Sequence, residues 1–310
     1  MIGNPAVSVL ADAYIKGIRG YDAEKAYLYA LNSVNRFGNG EKGYVPDSLS
    51  ETLEYAYSDW CVSRLAEALG KQEDATEYLE KSRAWRNVWD PGVQWMRARR
   101  EDGSWLPWEG KLKHGQGCVE SNPFQQGWFV PHDVPGLMET MGRDIFLSEL
   151  ERFFENAPGD FLWNDYYNHP NEPVHHVPFL FNLAGEPGLT QKWTRAICDR
   201  AYGTGVEGLR GNEDIGQMSA WYILAAIGLH PVAPGDGIYQ VTSPVFSKIT
   251  IHLDPDYYSG RTFTIIAENN SPENIYIRSM ELNGDPLDRF WLTHDEITAG
   301  GVLRMVMDGE

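Results

Sequence analysis

The spacing of apolar and polar residues divides the chain into a long helical part and a shorter tail of strands. Up to residue 227, apolar positions recur at the three- and four-residue spacing of an amphipathic helix. Residues 50–69 show it most clearly, and Gly70 follows as a stop signal. Residues 214–227 are nearly all apolar, which predicts a helix that is buried on all sides. The predicted helices are 6–18, 23–37, 50–69, 73–89, 134–141, 145–156, 173–184, 190–202 and 214–227.

The pattern changes to a period of two near Pro234-Gly235-Asp236-Gly237. Five short alternating segments follow, and turns such as Asn283-Gly284 separate them, which predicts antiparallel strands. Successive helices with short polar turns indicate helical pairs wound into a toroid. We therefore predict a mostly α fold, with a helical domain over 1–234 and a C-terminal antiparallel β region over 235–310 that forms part of a β-sandwich. The predicted strands are 238–241, 248–253, 262–267, 275–280 and 302–307.

Composition narrows the classes of ligand. The 310 residues include 26 Lys and Arg against 44 Asp and Glu, which gives a formal charge of −18. This balance disfavours nucleic acid and anionic membranes, and it favours a neutral ligand or a divalent cation. Eleven Trp and sixteen Tyr are compatible with a large core or with a cleft in which sugars stack on aromatic rings.

Cysteine content and apolar runs restrict the architecture further. Three cysteines without CxxC spacing argue against a disulfide framework, although one bridge with one free thiol stays open. No apolar run reaches the length of a membrane span, and the first residues lack the pattern of a signal peptide.

Three polar clusters contain the candidate chemistry, and each precedes an apolar segment. They span 119–133, 169–176 and 211–221. Polar residues at the mouths of the inner helices of a toroid would converge on one rim. The first cluster overlaps the end of an irregular stretch, 90–125, which is long for a connector and therefore a candidate functional loop. Trp105 and Trp108 in this stretch could stack on a sugar or anchor the loop.

Two carboxylates in these clusters fit general acid–base work. Glu120 has aromatic residues close by in the sequence, and an apolar setting keeps a general acid protonated. Asp214 opens an apolar helix, where backbone N–H groups would favour its ionised form. An ionised and a protonated carboxyl are the pair that glycoside hydrolysis needs. The plainer interpretations are a solvated loop carboxylate at 120 and a helix N-cap at 214, and Glu213 could replace Asp214.

The middle cluster offers oxygen donors. Asn171 and Glu172 suit a hard cation such as Ca²⁺. His175 and His176 are neighbours and lack the i, i+4 spacing of a helical zinc site, so a transition metal is disfavoured. The alternative is a capped helix with one buried, hydrogen-bonded His. In the first cluster, Asp133 also fits a simple N-cap.

The order and spacing of the three clusters resemble glycoside hydrolase family 92, which comprises calcium-dependent, inverting, exo-acting α-mannosidases. Similarity extends over nearly the whole chain. The matching stretches are Glu120-Ser121-Asn122 with Gln125 and 128–134, Asn171-Glu172-Pro173 with His175-His176 and 179–185, and 211–214 with 216–222.

The resemblance implies a role for each matched residue. Glu120 matches the general acid and Asp214 the general base, and an inverting pair needs about 6.5–9.5 Å between its carboxyls to hold the attacking water. The resemblance also implies Ca²⁺ at the mannose 2- and 3-hydroxyls, held by Glu172 with Asn171 and Gln125 near the ion. It implies a substrate-binding set as well: Asn122, Trp128, His132, Asp133, His175 and Glu213.

The sequence departs from the family pattern in places. Asn212 stands where some members have a second acidic residue, and Pro123-Phe124 replaces a small residue and a Trp. The family has an N-terminal β-sandwich domain ahead of its (α/α)6 toroid, whereas this chain begins inside the toroid. We therefore expect a C-terminal catalytic part whose partners are a mannose-containing glycan and the absent sandwich domain or a companion chain.

Two alternatives to the mannosidase stay open. One is a carbohydrate-binding or assembly fragment that is inactive by itself. The other is a different (α/α)6 carbohydrate enzyme, although a lyase on acidic polysaccharide would want Arg and Lys in the three clusters, which contain none. The family implies a secreted or periplasmic location. The linkage, the aglycone and the oligomeric state do not follow from the sequence.

Overall fold

The computed structural model describes residues 2–309, which pack as two compact units. The first unit comprises the described residues up to Gly142 together with Ala233–Asp236. The second comprises Arg143–Val232 and the chain from Gly237 onward, so it combines the later helices with the strands. The predicted boundary between residues 234 and 235 falls inside the short Ala233–Asp236 segment, and the two-domain assignment stays a prediction.

The first unit is built around one long helix. Helix α3 (Leu49–Ala68) packs against α1 (Pro5–Ile15), α2 (Ala23–Arg36) and α4 (Gln72–Lys81), and its core side chains Val62 and Leu65 are fully buried or nearly so. Asp22 and Ser48 cap α2 and α3, because their side chains accept hydrogen bonds from the third backbone N–H of each helix. The elements of this unit are α1 (Pro5–Ile15), α2 (Ala23–Arg36), α3 (Leu49–Ala68), α4 (Gln72–Lys81), β1 (Trp89–Asp90), β2 (Trp95–Met96), α5 (Pro123–Gln126) and α6 (Val134–Met141).

One predicted helix of the first unit is shorter than expected. The sequence pattern predicts a single helix over residues 73–89, but α4 ends at Lys81 and a 3₁₀ helix, Ser82–Val88, follows it. The Ser82 hydroxyl donates to Leu79 O at 2.7 Å, a side-chain bond that competes with regular helical pairing. The tighter turn buries Trp85 completely.

The helices of the second unit differ from prediction at two points. Residues 173–184 form two short 3₁₀ turns, Glu172–Val174 and Val177–Phe179, and one helical turn, because Pro178 has no N–H to continue a helix. The predicted all-buried helix 214–227 begins at Gln217, and Ile223 is 59% exposed. The prediction of burial on all sides was therefore wrong. The helices are α7 (Arg143–Glu155), α8 (Leu180–Leu183), α9 (Pro187–Arg200) and α10 (Gln217–Ile227).

The strand tail forms two sheets within the second unit. All five predicted strands are present. The elements are β3 (Leu229–His230), β4 (Ile238–Val241), β5 (Lys248–His252), β6 (Thr262–Glu268), β7 (Tyr276–Leu282), β8 (Asp285–Leu287), β9 (Trp291–Thr293), α11 (His294–Thr298) and β10 (Gly301–Asp308). The larger sheet has the order β5-β6-β10-β7-β8, and the smaller sheet has the order β3-β4-β9.

The larger sheet is not wholly antiparallel, which corrects the prediction. Strand β10 pairs with β7 in antiparallel fashion but runs parallel to β6. The chain returns through α11 before β10, and a connection of that length allows a parallel pair where a hairpin does not. Alternate residues of β6 and β10 are buried on one face of the sheet, among them Ile265 in β6 and Met305 in β10.

Two exclusions made from the sequence can be compared with the described residues. Cys61, Cys118 and Cys198 are all free thiols, and burial raises the pKa of Cys198 to about 12. Within residues 2–309, no helix has the length and hydropathy of a membrane span.

Candidate active site

Glu120 lies in a loop of the first unit, and its backbone has an unusual conformation. Its φ of 54° is in the left-handed region, which a Glu rarely adopts, and the residue is exposed. The loop is fixed at the start of α3, where Gly117 O accepts hydrogen bonds from Leu49 N at 2.7 Å and Ser50 N at 3.2 Å. Gly117 leaves room for this approach, since a Cβ there would lie 2.8 Å from the Ala98 Cβ. The fold therefore holds an exposed carboxylate on left-handed backbone, which agrees with the solvated loop carboxylate and not with the apolar setting expected for Glu120 from the sequence.

Three buried polar side chains, those of Ser50, Ser121 and Gln126, are hydrogen-bonded at this loop. The Ser50 hydroxyl accepts from Val119 N at 3.0 Å and donates to Gln126 Oε1 at 2.8 Å. The Ser121 hydroxyl donates to the same Gln126 oxygen at 3.3 Å. All three side chains are at most 1% exposed. No sequence pattern identified Ser50 or Gln126, because helix periodicity carries no information about a contact 76 residues away along the chain.

Three residues expected to bind substrate or metal lie in the core of the first unit. Asn122 Oδ1 accepts from Gln125 N at 2.9 Å and so caps α5. Trp128 is fully buried, and its ring lies 5.1 Å from the Trp95 ring, edge to face. Gln125 is 1% exposed. Their predicted roles as ligands stay predictions.

His132 and Asp133 are engaged within the same unit. Burial lowers the pKa of His132 to about 4, and its Nε2 lies 3.0 Å from Ser82 O, to which it donates. The Asp133 carboxylate accepts from Gly136 N at 3.0 Å, which confirms the N-cap interpretation of this residue. Its Oδ2 also accepts from Trp85 and Arg86, each at 3.2 Å.

Asp214 in the second unit shares the backbone peculiarity of Glu120. Asp214, Ile215 and Gly216 are left-handed in succession, with φ of 48°, 59° and 91°, and Asp214 is exposed. The loop ahead of it passes close to the middle cluster. A Cβ on Gly211, whose φ is +86°, would lie 2.8 Å from the Pro170 Cβ, so only glycine fits there.

Glu213, and not Asp214, satisfies the first turn of α10. The Glu213 carboxylate accepts from Ser219 N at 3.0 Å and from Ser219 Oγ at 2.9 Å. The expectation that Asp214 could serve merely as an N-cap was therefore wrong. The two adjacent carboxylates are separated by role, because one stabilises the helix start and the other faces solvent.

A buried network joins the middle cluster to the start of α10. His175 Nε2 lies 2.8 Å from His169 O and donates to it, so Nδ1 accepts from Gln217 Nε2 at 3.1 Å. His169 lies between Tyr167 and Tyr202, and the Tyr202 hydroxyl donates to Met218 O at 2.9 Å. Burial lowers the pKa of His175 to about 4, so the ring is neutral. His175 was expected to contact substrate, and its ring nitrogens are occupied within the unit.

The candidate metal stretch offers oxygen donors of the kind calcium prefers. Asn171 is 8% exposed and Glu172 is half-buried, at the start of the first 3₁₀ turn of this unit. Nearby, Asn168 Oδ1 is buried and accepts no hydrogen bond from any part of the chain between residues 2 and 309. Amide and carboxylate oxygens together fit a hard cation. In the same described range, no cluster of three or more His, Cys, Asp or Glu side chains forms a metal site.

A pair of carboxyl side chains is the catalytic machinery of most glycoside hydrolases, and Glu120 and Asp214 are exposed carboxylates of this kind. The chain belongs to glycoside hydrolase family 92: the family model described as the glycosyl hydrolase family 92 catalytic domain matches residues 1–309. The family resemblance drawn from the three clusters is thereby confirmed.

Solved structures agree with this assignment. The family GH92 α-mannosidase BT3965 from Bacteroides thetaiotaomicron is 37% identical with a TM-score of 0.93, over 100% of this chain and 42% of that one. The GH92 inverting mannosidase BT2199 from the same species is 35% identical with a TM-score of 0.89, over 100% of this chain and 46% of that one. These likenesses confirm the predicted fold class of helices followed by strands.

A curated relative is also matched over less than half of its own length. An uncharacterized secreted glycosidase from Arthroderma benhamiae is 28% identical over an alignment of 361 positions, which covers 99% of this chain and 45% of the relative. The chain thus spans less than half the length of the proteins it matches.

Proposed function

We propose that the chain is the C-terminal catalytic part of an exo-acting α-mannosidase that releases α-linked mannose from glycans. Membership of family 92 and the likeness to two solved mannosidases support the reaction class. The relative BT2199 is an inverting mannosidase, which supports a single-step inverting mechanism here.

In this mechanism, Glu120 is the general acid and Asp214 the general base. Glu120 protonates the departing glycosidic oxygen, so the aglycone leaves as a neutral alcohol. Asp214 removes a proton from a water molecule that attacks the anomeric carbon from the opposite face. One observation carries this assignment. Both carboxylates are exposed and stand on left-handed backbone, a conformation that is concentrated at functional sites and that they share with seven other non-glycine residues between 2 and 309.

The donor set of the second unit fits calcium. Asn171 and Glu172 would hold the ion, and the buried amide oxygen of Asn168 adds a donor of the same kind. Gln125 lies in the first unit, and its role at the ion stays an expectation from the family resemblance. Calcium, when bound, supplies a positive charge to which the hydroxyls of mannose can bind. The substrate-binding roles of His132, Asp133 and Glu213 stay expectations from the family resemblance. The same holds for Asn122, Trp128 and His175, although Asn122 and Trp128 are fully buried and both ring nitrogens of His175 are hydrogen-bonded within its unit.

The further partners follow from the coverage of the relatives. Because the chain matches less than half of each relative, we propose that a β-sandwich domain or a companion chain completes the enzyme. The name of the secreted relative from Arthroderma benhamiae supports a secreted or periplasmic location.

Chelation is expected to abolish mannose release. The intact protein, including any sequence beyond these 310 residues, is assayed on an aryl α-mannoside before and after treatment with a chelator. We expect activity to fall at least tenfold and to return when Ca²⁺ is added, because carboxylate and amide oxygens suit that ion. Full activity in protein shown by elemental analysis to be metal-free would contradict the calcium proposal.

The same assay separates the enzyme from the inactive fragment. The 310-residue chain is tested alone, with circular dichroism as the check on folding. Turnover by the folded chain would dispose of the assembly-fragment alternative. A folded but inactive chain beside an active intact protein would show that this half needs its partner.

A further inference from the structure

The residues on both sides of Glu120 are tied to one buried pair of side chains. On the N-terminal side, Val119 N donates to the Ser50 hydroxyl at 3.0 Å. On the C-terminal side, the Ser121 hydroxyl donates to Gln126 Oε1 at 3.3 Å. The Ser50 hydroxyl donates to that same oxygen at 2.8 Å, which closes the arrangement. Both neighbours of Glu120 are therefore hydrogen-bonded to the same buried contact, the one between the Ser50 hydroxyl and the Gln126 amide oxygen.

The Ser50 hydroxyl is both a hydrogen-bond acceptor and a hydrogen-bond donor. It accepts one hydrogen bond from the loop and donates one to Gln126, and the side chain is fully buried. Truncation to alanine would leave Val119 N without this acceptor and would remove a donor from the Gln126 oxygen. Left-handed backbone at a Glu persists only where the surroundings impose it, so loss of this contact should release Glu120 from its orientation.

The helix that carries Ser50 does not depend on this hydroxyl. Ser48 is the N-cap of α3, and its side chain accepts from Glu51 N at 3.2 Å. The first turn is also held by Gly117 O, which accepts from the backbone N–H groups of Leu49 and Ser50. These bonds remain when the Ser50 side chain is shortened. The side chain therefore serves the Glu120 loop more than the helix.

We propose that Ser50, acting through Gln126, is a positioning residue for the general acid. The inference rests on the proposed function, since it presumes that Glu120 donates the proton. Ser50 touches no reacting atom in this role. Its contribution is to hold Glu120 where the proton can reach the glycosidic oxygen, and an error of about 1 Å in such a position can cost about 100-fold in rate.

The dependence of the rate on the leaving group tests this proposal. An alkyl α-mannoside needs protonation to leave, whereas fluoride leaves from α-mannosyl fluoride without a general acid. In the intact protein, Ser50→Ala is expected to lower kcat on the alkyl mannoside by about 10- to 100-fold. The same variant should change kcat on the fluoride less than about threefold, because a misplaced acid does not matter there. A general loss of stability would lower both rates together.

A matched control is available in the same helix. Ser63 is buried in α3, and its hydroxyl donates a single hydrogen bond to Ala75 O at 2.7 Å. Ser63→Ala removes the same atom from the same helix and should leave the ratio of the two rates unchanged. Where Ser50→Ala does not fold, Gln126→Met breaks the contact from its other end, and the same change in the ratio is expected.

The reference variant separates two kinds of failure. Glu120→Gln should lose activity on the alkyl mannoside and retain it on the fluoride. Should Glu120→Gln behave in this way while Ser50→Ala and Gln126→Met lower both rates equally, the positioning role is wrong and the acid assignment stands. Should Glu120→Gln itself show no dependence on the leaving group, the proposed function of Glu120 fails first.

Discussion

Replacement of Glu120 by Gln is expected to lower kcat/KM for an alkyl α-mannoside by about 10²- to 10⁴-fold, the range that general acid catalysis supplies. The amide has nearly the shape of the carboxylic acid but cannot donate a proton to the glycosidic oxygen. On α-mannosyl fluoride, the same variant should keep most of its activity. The effect is therefore large where the leaving group is poor and small where it is good. Initial rates on both substrates measure it.

A carboxylate elsewhere in the first unit provides the control for this result. Glu109 is exposed in the same irregular stretch of chain, so Glu109→Gln removes an equal charge nearby. We expect it to leave both rates within about threefold, because a surface substitution away from special features usually changes stability by no more than about 0.5 kcal/mol. An equal loss from Glu109→Gln and Glu120→Gln, or full activity of Glu120→Gln on the alkyl mannoside, would show that Glu120 is not the acid.

Replacement of Asp214 by Asn is expected to lower kcat by about 10²- to 10⁴-fold on the alkyl mannoside and the fluoride alike. Every substrate needs an activated water, so the quality of the leaving group does not rescue a missing base. Added azide should restore turnover of the fluoride and give β-mannosyl azide, because azide attacks without losing a proton. The product is identified by NMR.

Substitution of Glu213 tests whether the general base is Asp214 or Glu213. Both oxygens of Glu213 accept hydrogen bonds from Ser219, and Gln in its place can still accept one of them. Glu213→Gln should therefore lower kcat far less than Asp214→Asn, and azide should not raise its rate. The exposed Glu207 in the preceding loop gives the neutral control. Azide rescue of Glu213→Gln but not of Asp214→Asn would move the base to residue 213.

The helices and strands followed from local patterns because those patterns record which face of an element is buried. Strand β4 matches its prediction at both ends, and α6 does as well. The predicted helix boundaries were wrong where one or a few residues change the backbone conformation. Pro178 interrupts the predicted helix 173–184, and three left-handed residues delay the start of α10 to Gln217. Periodicity does not report such positions unless glycine marks them.

The candidate site was only partly predictable for a related reason. Sequence motifs singled out Glu120 and Asp214 as candidates, and both carboxylates are exposed in the structure. The motifs did not identify Ser50, whose importance comes from a contact with Gln126 that the fold creates. They also left the roles of Glu213 and Asp214 interchangeable. The hydrogen bonds from Ser219 separate the two, and these depend on where the helix begins.

The configuration of the mannose first released tests the central claim most directly. The intact protein hydrolyses an α-mannoside in an NMR tube, and the anomeric proton of the product is followed before mutarotation equalises the two forms. An inverting mechanism predicts β-mannose as the first product, because one displacement from the opposite face inverts the anomeric carbon. Initial release of α-mannose would show retention through a covalent intermediate and would contradict the assignment of Glu120 and Asp214 as an inverting pair.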